Sequence, residues 1–294
     1  MNFGADFLKK SGIFDMDFDR NIVMRESKIL LASVLKTSEK DLFLHGYDMV
    51  ANDVFVQFYK YLQLRITGMP VYKIIGVKPF YKEEFLTDVG VLDPRYDTEV
   101  LVEAVLKNYS DDVNSLRFLE LGIGSGCVML SVLAELKNLF GYGVDISPDS
   151  VKISMANAEK IGVQNRVKIM QMDWNNFMRN DFSDCQNGLD FIISNPPYIR
   201  TNDIPNLAIE VREFDPHVAL DGGMDGLDCY RDIATLLSNA EKIPLKKNTK
   251  IFLEIGFGQS ESVKKIFSDA GFSFLELYKD LSDVERVLVF NSKL

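Results

Sequence analysis

The chain has 294 residues and a formal net charge of −10, with 43 acidic against 33 basic side chains. This balance disfavours duplex DNA as a partner, because such binding depends on lysine and arginine neutralising phosphates, whereas it is compatible with a basic or neutral protein partner. The three cysteines and two histidines show neither a disulfide framework nor metal-ligand spacing, so we expect no metal.

The first 20 residues do not form the apolar core of a secretory signal. They are interrupted by charged side chains, namely Asp6, Lys9, Lys10, Asp15, Asp17 and Asp19. No apolar run along the chain reaches the length of a membrane span. We therefore expect no membrane association and a location in the cytoplasm.

Residues 1–75 are predicted to form an all-helical domain. The signals, in chain order, are an apolar stripe at helical spacing over 24–35, a cap at 38–41 with Leu42 and Leu44 turned inward, a longer helix over 50–64 and a stop at Gly68-Met69-Pro70. This domain is either a packing or dimerisation bundle or a docking module for a protein substrate. Its composition does not separate the two.

A β-hairpin linker is predicted for residues 76–93. The hairpin pattern itself begins earlier, at 71: short apolar pieces at 71–75, 80–81 and 89–92 alternate with glycine and proline. The linker separates the helical domain from a third region, residues 94–294.

The region 94–294 alternates between strand and helix patterns. Helices are predicted over 100–109, 128–137, 148–161, 227–241 and 260–270. Strands are predicted over 116–121, 141–145, 167–172, 189–194 and 250–255, followed by 272–278 and 286–290 with no helix between them. This alternation favours an α/β fold with a doubly wound, mostly parallel sheet.

A glycine-rich turn follows the first strand of this region. Gly122, Gly124 and Gly126 have G-x-G-x-G spacing and lead into an apolar helix, and glycine allows positive φ and close approach of a ligand to the backbone. About 20 residues later a second strand ends at Asp145, where a carboxylate is placed to accept both hydroxyls of an adenosine ribose. The alternative for the glycines is a plain turn. The alternative for Asp145 is a cap for the helix that opens at Pro148.

A stiff turn, Asn195-Pro196-Pro197-Tyr198, follows the strand 189–194. Two prolines restrict φ and lack N–H donors, and strand ends are common ligand sites in open α/β sheets. The asparagine offers an amide acceptor and donor, and the tyrosine offers a flat ring. The turn is either an ordinary Pro-Pro turn or a pocket for a planar group with an NH2, such as a carboxamide or an exocyclic base amine.

Together these motifs resemble the class I methyltransferases that use S-adenosylmethionine (AdoMet) and act on amide or exocyclic nitrogen. Over nearly the whole chain, the sequence resembles the PrmC/HemK family of release factor glutamine N5-methyltransferases. The supporting segments are 94–99, 172–174, 210–216 and 225–228. Two positions depart from the family pattern: Tyr96 replaces a proline, and Glu120 replaces an aspartate.

The resemblance implies a Rossmann-like, mostly parallel seven-stranded sheet, preceded by a helical domain that docks the substrate. The cofactor is AdoMet, with S-adenosylhomocysteine as product. The partners are class 1 peptide chain release factors, methylated on the N5 amide of the Gly-Gly-Gln glutamine. Neither a membrane nor nucleic acid is expected as a partner.

The resemblance also implies a set of cofactor-binding residues. They are Glu120, Gly122, Ile123, Gly124, Ser125, Gly126, Asp145, Asp173, Trp174 and Asn195. Within this set the glycines cradle the methionine part of AdoMet, Asp145 binds the ribose, the Asp173-Trp174 pair borders the adenine, and Glu120 contacts the amino group.

On the target side, Asn195, Pro196 and Tyr198 are the expected catalytic residues, and Pro197 and Arg95 join them in binding substrate. The Asn195 side-chain carbonyl and the Pro196 backbone carbonyl accept the two N–H groups of the target amide, and the Tyr198 ring packs on the amide plane. This arrangement aims the nitrogen at the methyl group and needs no general base.

Arg95, Asp97 and Glu99 either line the cleft or serve in capping and surface pairing. Trp174 either borders the adenine or only packs at the rim. Adenine-N6 methylation of nucleic acid is the alternative activity, because it uses the same turn on an exocyclic NH2. A regulator that binds AdoMet without catalysis is the third reading, disfavoured because the substrate turn is intact.

Overall fold

The computed structural model describes residues 1–11, 20–44, 49–110, 114–176, 185, 187–239 and 243–292. These residues form two compact units. The first consists of Met1–Val77 and Ala208–Phe214, and the second of Lys78–Leu207 and Asp215–Leu294. The sequence places 208–214, which we call the returning segment, in the domain at 94–294, whereas the structure groups it with the helical unit.

The helices of the described residues are α1 (Asn2–Lys10), α2 (Arg20–Leu35), α3 (Asp41–Leu44), α4 (Asn52–Arg65), α5 (Val71–Ile75), α6 (Glu99–Tyr109), α7 (Cys127–Glu135), α8 (Pro148–Ile161), α9 (Ile209–Arg212), α10 (Asp228–Leu237) and α11 (Ser260–Asp269). The strands are β1 (Val77–Phe80), β2 (Glu83–Leu86), β3 (Leu116–Leu121), β4 (Leu139–Asp145), β5 (Val167–Gln171), β6 (Leu189–Ser194), β7 (Leu245–Glu254), β8 (Ser273–Lys279) and β9 (Glu285–Asn291). Within the described ranges, no helix has the length and apolar character needed to cross a membrane.

The first unit is a helical bundle around one apolar core. Leu8 of α1, Leu30 of α2 and Leu62 of α4 are fully buried in this core. Leu42 of α3 is also buried, but Leu44 is 81% exposed. The prediction that both leucines turn inward is therefore wrong for Leu44, because residues two apart point to opposite sides of a helix.

Two apolar pieces that the sequence assigns to the hairpin have other conformations. Residues 71–75 form α5, which begins after Pro70 and ends at Gly76 with φ of 76°, since proline favours a helix start and a left-handed glycine a helix end. Residues 89–92 lie in a turn. The hairpin itself is present, as β1 and β2 form a two-stranded sheet.

The returning segment is held in the first unit by buried polar contacts. The Arg65 guanidinium, 2% exposed, pairs with Glu26 at 2.8 Å and with Glu210 of the returning segment at 2.9 Å. Lys73 Nζ donates to the Phe214 carbonyl at 2.5 Å. A buried guanidinium left without such partners is strongly destabilising, so these contacts hold the segment to the bundle.

The second unit contains a seven-stranded sheet with the order β5-β4-β3-β6-β7-β9-β8. The first five strands in this order are parallel, and β9 is antiparallel to both of its neighbours. The doubly wound fold with a terminal antiparallel hairpin is thus confirmed. Because the chain moves from β3 outward to β5 and then returns to β6 on the other side of β3, ligands are expected outside the carboxyl ends of β3 and β6.

The parallel strands are apolar on both faces, as strands covered by helices on each side must be. Phe118, Phe191 and Phe252 pack in the cluster on one face of the sheet, with the first two rings stacked at 4.6 Å between centroids. Leu119 and Ile192, their neighbours in sequence, pack in the cluster on the other face. This double burial fixes where each strand ends and therefore where the site residues lie.

Element boundaries in this unit agree closely with the sequence prediction. The main differences are β7, which begins at Leu245 rather than at 250, and α10, which ends at Leu237 rather than at 241. Residues 240–242 lie outside the described residues.

Candidate active site

The site lies at the carboxyl ends of β3 and β6. These strands pair so that Leu121 lies opposite Ser194, which places the glycine-rich turn beside the Asn-Pro-Pro-Tyr turn. Two cavities open here, one of about 260 Å³ and one of about 40 Å³. They share four lining residues: Leu92, Gly122, Gly124 and Asn195.

The glycines of the turn after β3 have different roles. Gly124 has φ of 54°, and a Cβ added to it would meet nothing within 4 Å, so backbone conformation rather than space requires glycine there. Gly126 has φ of 81° and precedes α7, and its added Cβ would lie 2.8 Å from Leu130. Ile123 and Ser125 line the smaller cavity, whereas Gly126 lines neither cavity.

Asp145, at the end of β4, joins the two neighbouring turns. Its Oδ2 accepts the Gly124 N–H at 2.8 Å, and its Oδ1 accepts the Ser147 N–H at 2.9 Å. The cap of α8 is Ser147, whose Oγ accepts the Ser150 N–H, so Asp145 is not the helix cap of the alternative reading. Burial raises the pKa of Asp145, and the Ser147 and Gly124 hydrogen bonds partly offset this.

Glu120 is a buried carboxyl at the smaller cavity, with 2% of the residue exposed. Its Oε2 accepts the Met129 N–H in the first turn of α7 at 3.0 Å. Burial raises the pKa of Glu120 well above its usual value, the Met129 hydrogen bond lowers it, and the charge of Asp145 raises it further. Two carboxyls held in this way suit a ligand that brings positive charge and hydroxyl donors.

Asp173 and Trp174 line the larger cavity beyond the end of β5. The Trp174 ring lies 3.5 Å from the Cβ position of Gly122, so it packs over the glycine-rich turn. Asp173 Oδ1 accepts the Asn175 N–H at 2.9 Å, which fixes the local turn. A flat ring and a carboxylate at the rim suit a planar heterocycle.

Asn195 occupies the border between the two cavities. Its Nδ2 donates to Thr98 Oγ1 at 3.3 Å, which leaves the Oδ1 end of the amide for a ligand. Pro197 lines the larger cavity, whereas Pro196 is buried and lines neither.

Tyr198 also lines neither cavity among the described residues. It packs against the core cluster on one face of the sheet, and its carbonyl accepts the Gln259 side-chain N–H at 3.0 Å. Burial raises the pKa of Tyr198, so its hydroxyl stays protonated.

Arg95 lines the smaller cavity and donates to Asp215 Oδ2 at 2.5 Å. Asp97 pairs with Arg286 at 2.6 Å. Glu99 Oε1 accepts the Tyr81 N–H of the hairpin at 2.9 Å. Asp97 and Glu99 line neither cavity. Their contacts therefore favour structural pairing over a place in the cleft.

Sequence reasoning missed one wall of the larger cavity. It consists of Pro216, Val218, Ala219, Asp221, Cys229 and Asp232. The family-like segment 210–216 ends at Pro216, and the segment 225–228 ends next to Cys229, which is the signal that could have found this wall. Burial raises the pKa of the Cys229 thiol to about 11, so it is not a reactive thiolate. No group of His, Cys, Asp and Glu suited to a metal ion occurs in the described ranges.

Comparison with known proteins gives the family. The PrmC N-terminal domain model matches residues 2–76, and the methyltransferase small domain model matches residues 88–211. The release factor glutamine methyltransferase of Agrobacterium fabrum is 36% identical over 268 residues, covering 90% of this chain and 89% of that protein. The chain belongs to the release factor glutamine methyltransferase family. The family member from Caulobacter vibrioides is 34% identical and covers 97% of this chain and 92% of its own.

Other relatives are longer. The bifunctional methyltransferase of Rickettsia prowazekii is 37% identical over 300 residues, which are 96% of this chain but 55% of that protein. The chain thus spans about half the length of the bifunctional relatives. A solved release-factor-specific protein-(glutamine-N5) methyltransferase from Alicyclobacillus acidocaldarius aligns at 24% identity, 68% of this chain, 94% of that chain and a TM-score of 0.41.

The site residues fit AdoMet, the methyl donor of this family. AdoMet carries an ammonium group, a sulfonium and a ribose diol. Glu120 is a buried carboxyl and Asp145 a half-buried one, at neighbouring cavities, and a cationic ligand would stabilise their charged forms. The open space at the Cβ position of Gly124 allows a ligand to approach the backbone there.

Proposed function

We propose that this protein transfers the methyl group of AdoMet to the side-chain amide nitrogen of the glutamine in the Gly-Gly-Gln motif of class 1 peptide chain release factors. The observation that carries the proposal is the position of Asn195. Its amide lies on the border of the two cavities, in a stiff turn at the topological switch point of the sheet. Family membership supports the same activity.

We assign the cofactor to the two cavities as follows. Asp145 and the Asp173-Trp174 pair, at the larger cavity, hold the ribose and the adenine. Glu120, at the smaller cavity, holds the ammonium group. Gly122 and Gly124 line both cavities. They therefore support the part of AdoMet that lies between its ribose and its ammonium group. Bound there, AdoMet supplies an electrophilic methyl group.

The target side of the site has to overcome the low nucleophilicity of an amide, whose nitrogen lone pair is delocalised into the carbonyl. The Asn195 Oδ1, at the border of the cavities, accepts one N–H group of the target. We assign the other to the backbone carbonyl of Pro196, a buried residue that lines neither cavity. These contacts orient the nitrogen and stabilise positive charge that develops on it. The proton can leave after transfer, so no general base is required.

The same two acceptors explain selectivity for glutamine. A glutamate carboxylate has no N–H to donate, so it would leave both acceptors unpaired. Unpaired polar groups of this kind can discriminate by up to about 10⁴. We therefore expect a Gly-Gly-Glu sequence to be rejected.

We assign docking of the release factor to the helical unit. Phe3, Phe55 and Val56 of this unit are 48%, 42% and 45% exposed, and the Phe3 and Phe55 rings lie 5.5 Å apart. A cluster of exposed apolar side chains commonly marks a protein interaction site. We place the reaction in the cytoplasm, where release factors act.

A competition experiment tests the activity. The purified protein is incubated with AdoMet, a release factor and duplex DNA in one tube, and products are read by peptide mass spectrometry and by methyl label in DNA. We expect one added methyl on the Gly-Gly-Gln peptide and none on a Gly-Gly-Glu variant. Methyl label in DNA, or unmodified glutamine beside protein that binds AdoMet, would overturn the proposal.

A further inference from the structure

Gln259 joins the Asn195–Tyr198 turn, which we call the target turn, to two other loops. It lies between β7 and α11, is half-buried and lines neither cavity. A residue directly before a helix often caps that helix with its side chain. Among the described residues, the Gln259 side chain makes no capping bond to α11, so its amide is directed elsewhere.

The amide of Gln259 uses both of its donors and its acceptor. Its Nε2 donates to the Tyr198 carbonyl at 3.0 Å and to the Gly226 carbonyl at 3.1 Å. Its Oε1 accepts the Gly256 N–H at 2.9 Å. Reversing the amide would set its oxygen against two carbonyls and its NH2 against an N–H, so these partners fix the orientation of the side chain.

The three backbone partners belong to three different loops. Tyr198 ends the target turn, Gly226 lies just before α10, and Gly256 lies just after β7. A Cβ added to Gly226 would lie 2.5 Å from the Tyr198 carbonyl oxygen, and one added to Gly256 would lie 2.7 Å from Gln259 Oε1. Glycine at both positions is therefore needed for the Gln259 amide to fit between the loops.

The target turn has few backbone donors of its own, because its two prolines lack N–H groups. At the end of β6 the chain is anchored by Ser194, whose Oγ donates to the Leu121 carbonyl at 2.9 Å. At the other end of the turn, Gln259 holds the Tyr198 carbonyl. The acceptors that we assign to the target amide lie between these two anchors.

Gln259 also connects the target turn to the sheet. The Ile199 N–H donates to the Leu220 carbonyl at 3.0 Å, and the Gly222 N–H donates to the Ile199 carbonyl at 2.8 Å. The chain just after the target turn is therefore bonded to the loop before α10. Because Gln259 bonds to the turn, to this loop and to Gly256, it fixes the position of all three at the end of β7.

We propose that Gln259 is a positioning residue for methyl transfer. By holding the Tyr198 carbonyl, it fixes the places of the Asn195 Oδ1 and the Pro196 carbonyl relative to the cofactor. The proposal rests on the proposed function, because it takes these two oxygens as acceptors of the target amide. Gln259 acts only through the turn, since it lines neither cavity.

A displaced turn affects transfer more than cofactor binding. Misplacing a reacting group by about 1 Å can slow a reaction roughly 10²-fold. The two carboxyls that we assign to AdoMet are held by other bonds, since Asp145 accepts two backbone N–H groups and Glu120 accepts one. None of these bonds involves Gln259, so AdoMet should still bind when its amide is removed.

The test compares variants of Gln259 with a matched control. Gln259→Met keeps the length of the side chain and removes its hydrogen bonds. Gln259→Glu keeps the shape and an acceptor oxygen, but it sets a carboxylate against two carbonyls. Asn108→Leu is the control, because the Asn108 amide is also half-buried and also uses both donors and its acceptor. One of its partners, Lys250, pairs with Phe191 near the start of β6, at the opposite end of that strand from the target turn.

Gly226→Ala tests the same link without changing Gln259. Its Cβ would meet the Tyr198 carbonyl oxygen at 2.5 Å and Gln259 Nε2 at 2.9 Å, so it should push the turn away. Gly162→Ala is its control. Gly162 has φ of 80°, close to the 77° of Gly226, but a Cβ added there would meet nothing within 4 Å.

For each protein we measure single-turnover transfer at saturating AdoMet and release factor, the AdoMet dissociation constant and the melting temperature. We expect Gln259→Met and Gln259→Glu to slow transfer roughly 10- to 100-fold, the scale of a misplaced reacting group, with little change in AdoMet affinity. Gly226→Ala should also slow transfer. Asn108→Leu and Gly162→Ala should lower the melting temperature and keep the wild-type rate, because a loss of stability alone does not move the turn.

Wild-type rates in folded Gln259→Met and Gln259→Glu would overturn the inference, as would equal slowing by the two control variants. If Gln259→Met does not fold, Gln259→Glu decides. Failure of both to fold would show that the amide serves the fold rather than the turn, and would also overturn the inference. A wild-type protein that binds AdoMet but methylates no release factor would instead refute the proposed function, which is a separate outcome.

Discussion

The cofactor side of the site, at the ends of β3 and β4, and the target side, at the ends of β6 and β7, each contain a buried glutamate. Burial raises the pKa of both Glu120 and Glu254. Glu120 accepts a helix N–H and lines a cavity, whereas Glu254 lines no cavity and keeps an unpartnered oxygen in the described structure. The two glutamates lie at different levels, since Glu120 is level with Phe252, two residues before Glu254. Glu120 is therefore within reach of a ligand in the smaller cavity, whereas Glu254 is not at a cavity.

The largest effect confined to the target side is expected for Asn195→Ala. This change removes an acceptor on the target side, so we expect kcat to fall by roughly 10²–10³, the usual scale for one lost transition-state contact. AdoMet affinity should stay nearly unchanged. Calorimetry and a methyl-transfer assay check both quantities. Turnover near the wild-type rate would refute the role of Asn195.

On the cofactor side, Asp145→Ala should raise the AdoMet dissociation constant. The variant loses the two charge-assisted hydrogen bonds that we assign to the ribose hydroxyls of AdoMet, each worth about 1.5–3 kcal/mol. Single-turnover transfer at saturating AdoMet should stay close to wild type. Asp145→Asn is the control, because its amide oxygen can still accept the Gly124 N–H that Asp145 accepts. Unchanged affinity in a folded Asp145→Ala protein would show that Asp145 only joins the two turns.

The charge of Glu254 should also be visible in stability. Because burial raises its pKa from 4.5 to about 7, the stability that Glu254 contributes is fully present below its unfolded pKa and is lost as pH rises through the folded value. Glu254→Gln cannot ionise, so its free energy of unfolding relative to wild type should increase on the order of 1–3 kcal/mol between mildly acidic and mildly alkaline pH.

Urea denaturation at several pH values measures this difference. The control is Glu159→Gln, at an exposed position of α8, for which we expect no such trend. A pH-independent difference between Glu254→Gln and wild type would mean that Glu254 does not change its charge in the folded protein.

The smallest effect is expected for Glu120→Gln. Burial raises the Glu120 pKa, and a bound ammonium would favour its charged form, so AdoMet binding should release a proton and strengthen as pH rises. The variant should lose this dependence and bind AdoMet less tightly by on the order of 1 kcal/mol. Calorimetry in two buffers of different ionisation enthalpy counts the protons. The same proton count in the variant would contradict the assignment.

The sequence predicts those parts of the site that follow directly from local patterns and from the order of the strands. The glycine-rich turn, Asp145 and Asn195 each follow an apolar strand, and parallel strands bring their carboxyl ends to one edge of the sheet. This is why motifs that are far apart in the chain can be assigned to one site from the sequence alone.

The parts that could not be read depend on packing across the chain. Thr98 is an ordinary residue before a helix until the fold brings it to the smaller cavity, where its hydroxyl accepts the Asn195 Nδ2 hydrogen bond. Glu254 does carry a sequence signal, a lone carboxylate that ends an apolar strand, and Glu120 carries a similar one, one residue before the end of β3. Residues 71–75 look like a strand by composition, and only their boundaries, Pro70 and Gly76, indicate a helix.

The returning segment has a consequence for how the chain can be divided. The polypeptide passes from one unit to the other three times, between residues 77 and 78, 207 and 208, and 214 and 215. A single cleavage after residue 77 would therefore not release an intact helical unit, because Glu210 and Phe214 would stay behind on the other fragment. Recombining units between relatives would require exchanging residues 1–77 and 208–214 together, so that Arg65 and Lys73 keep partners that match them.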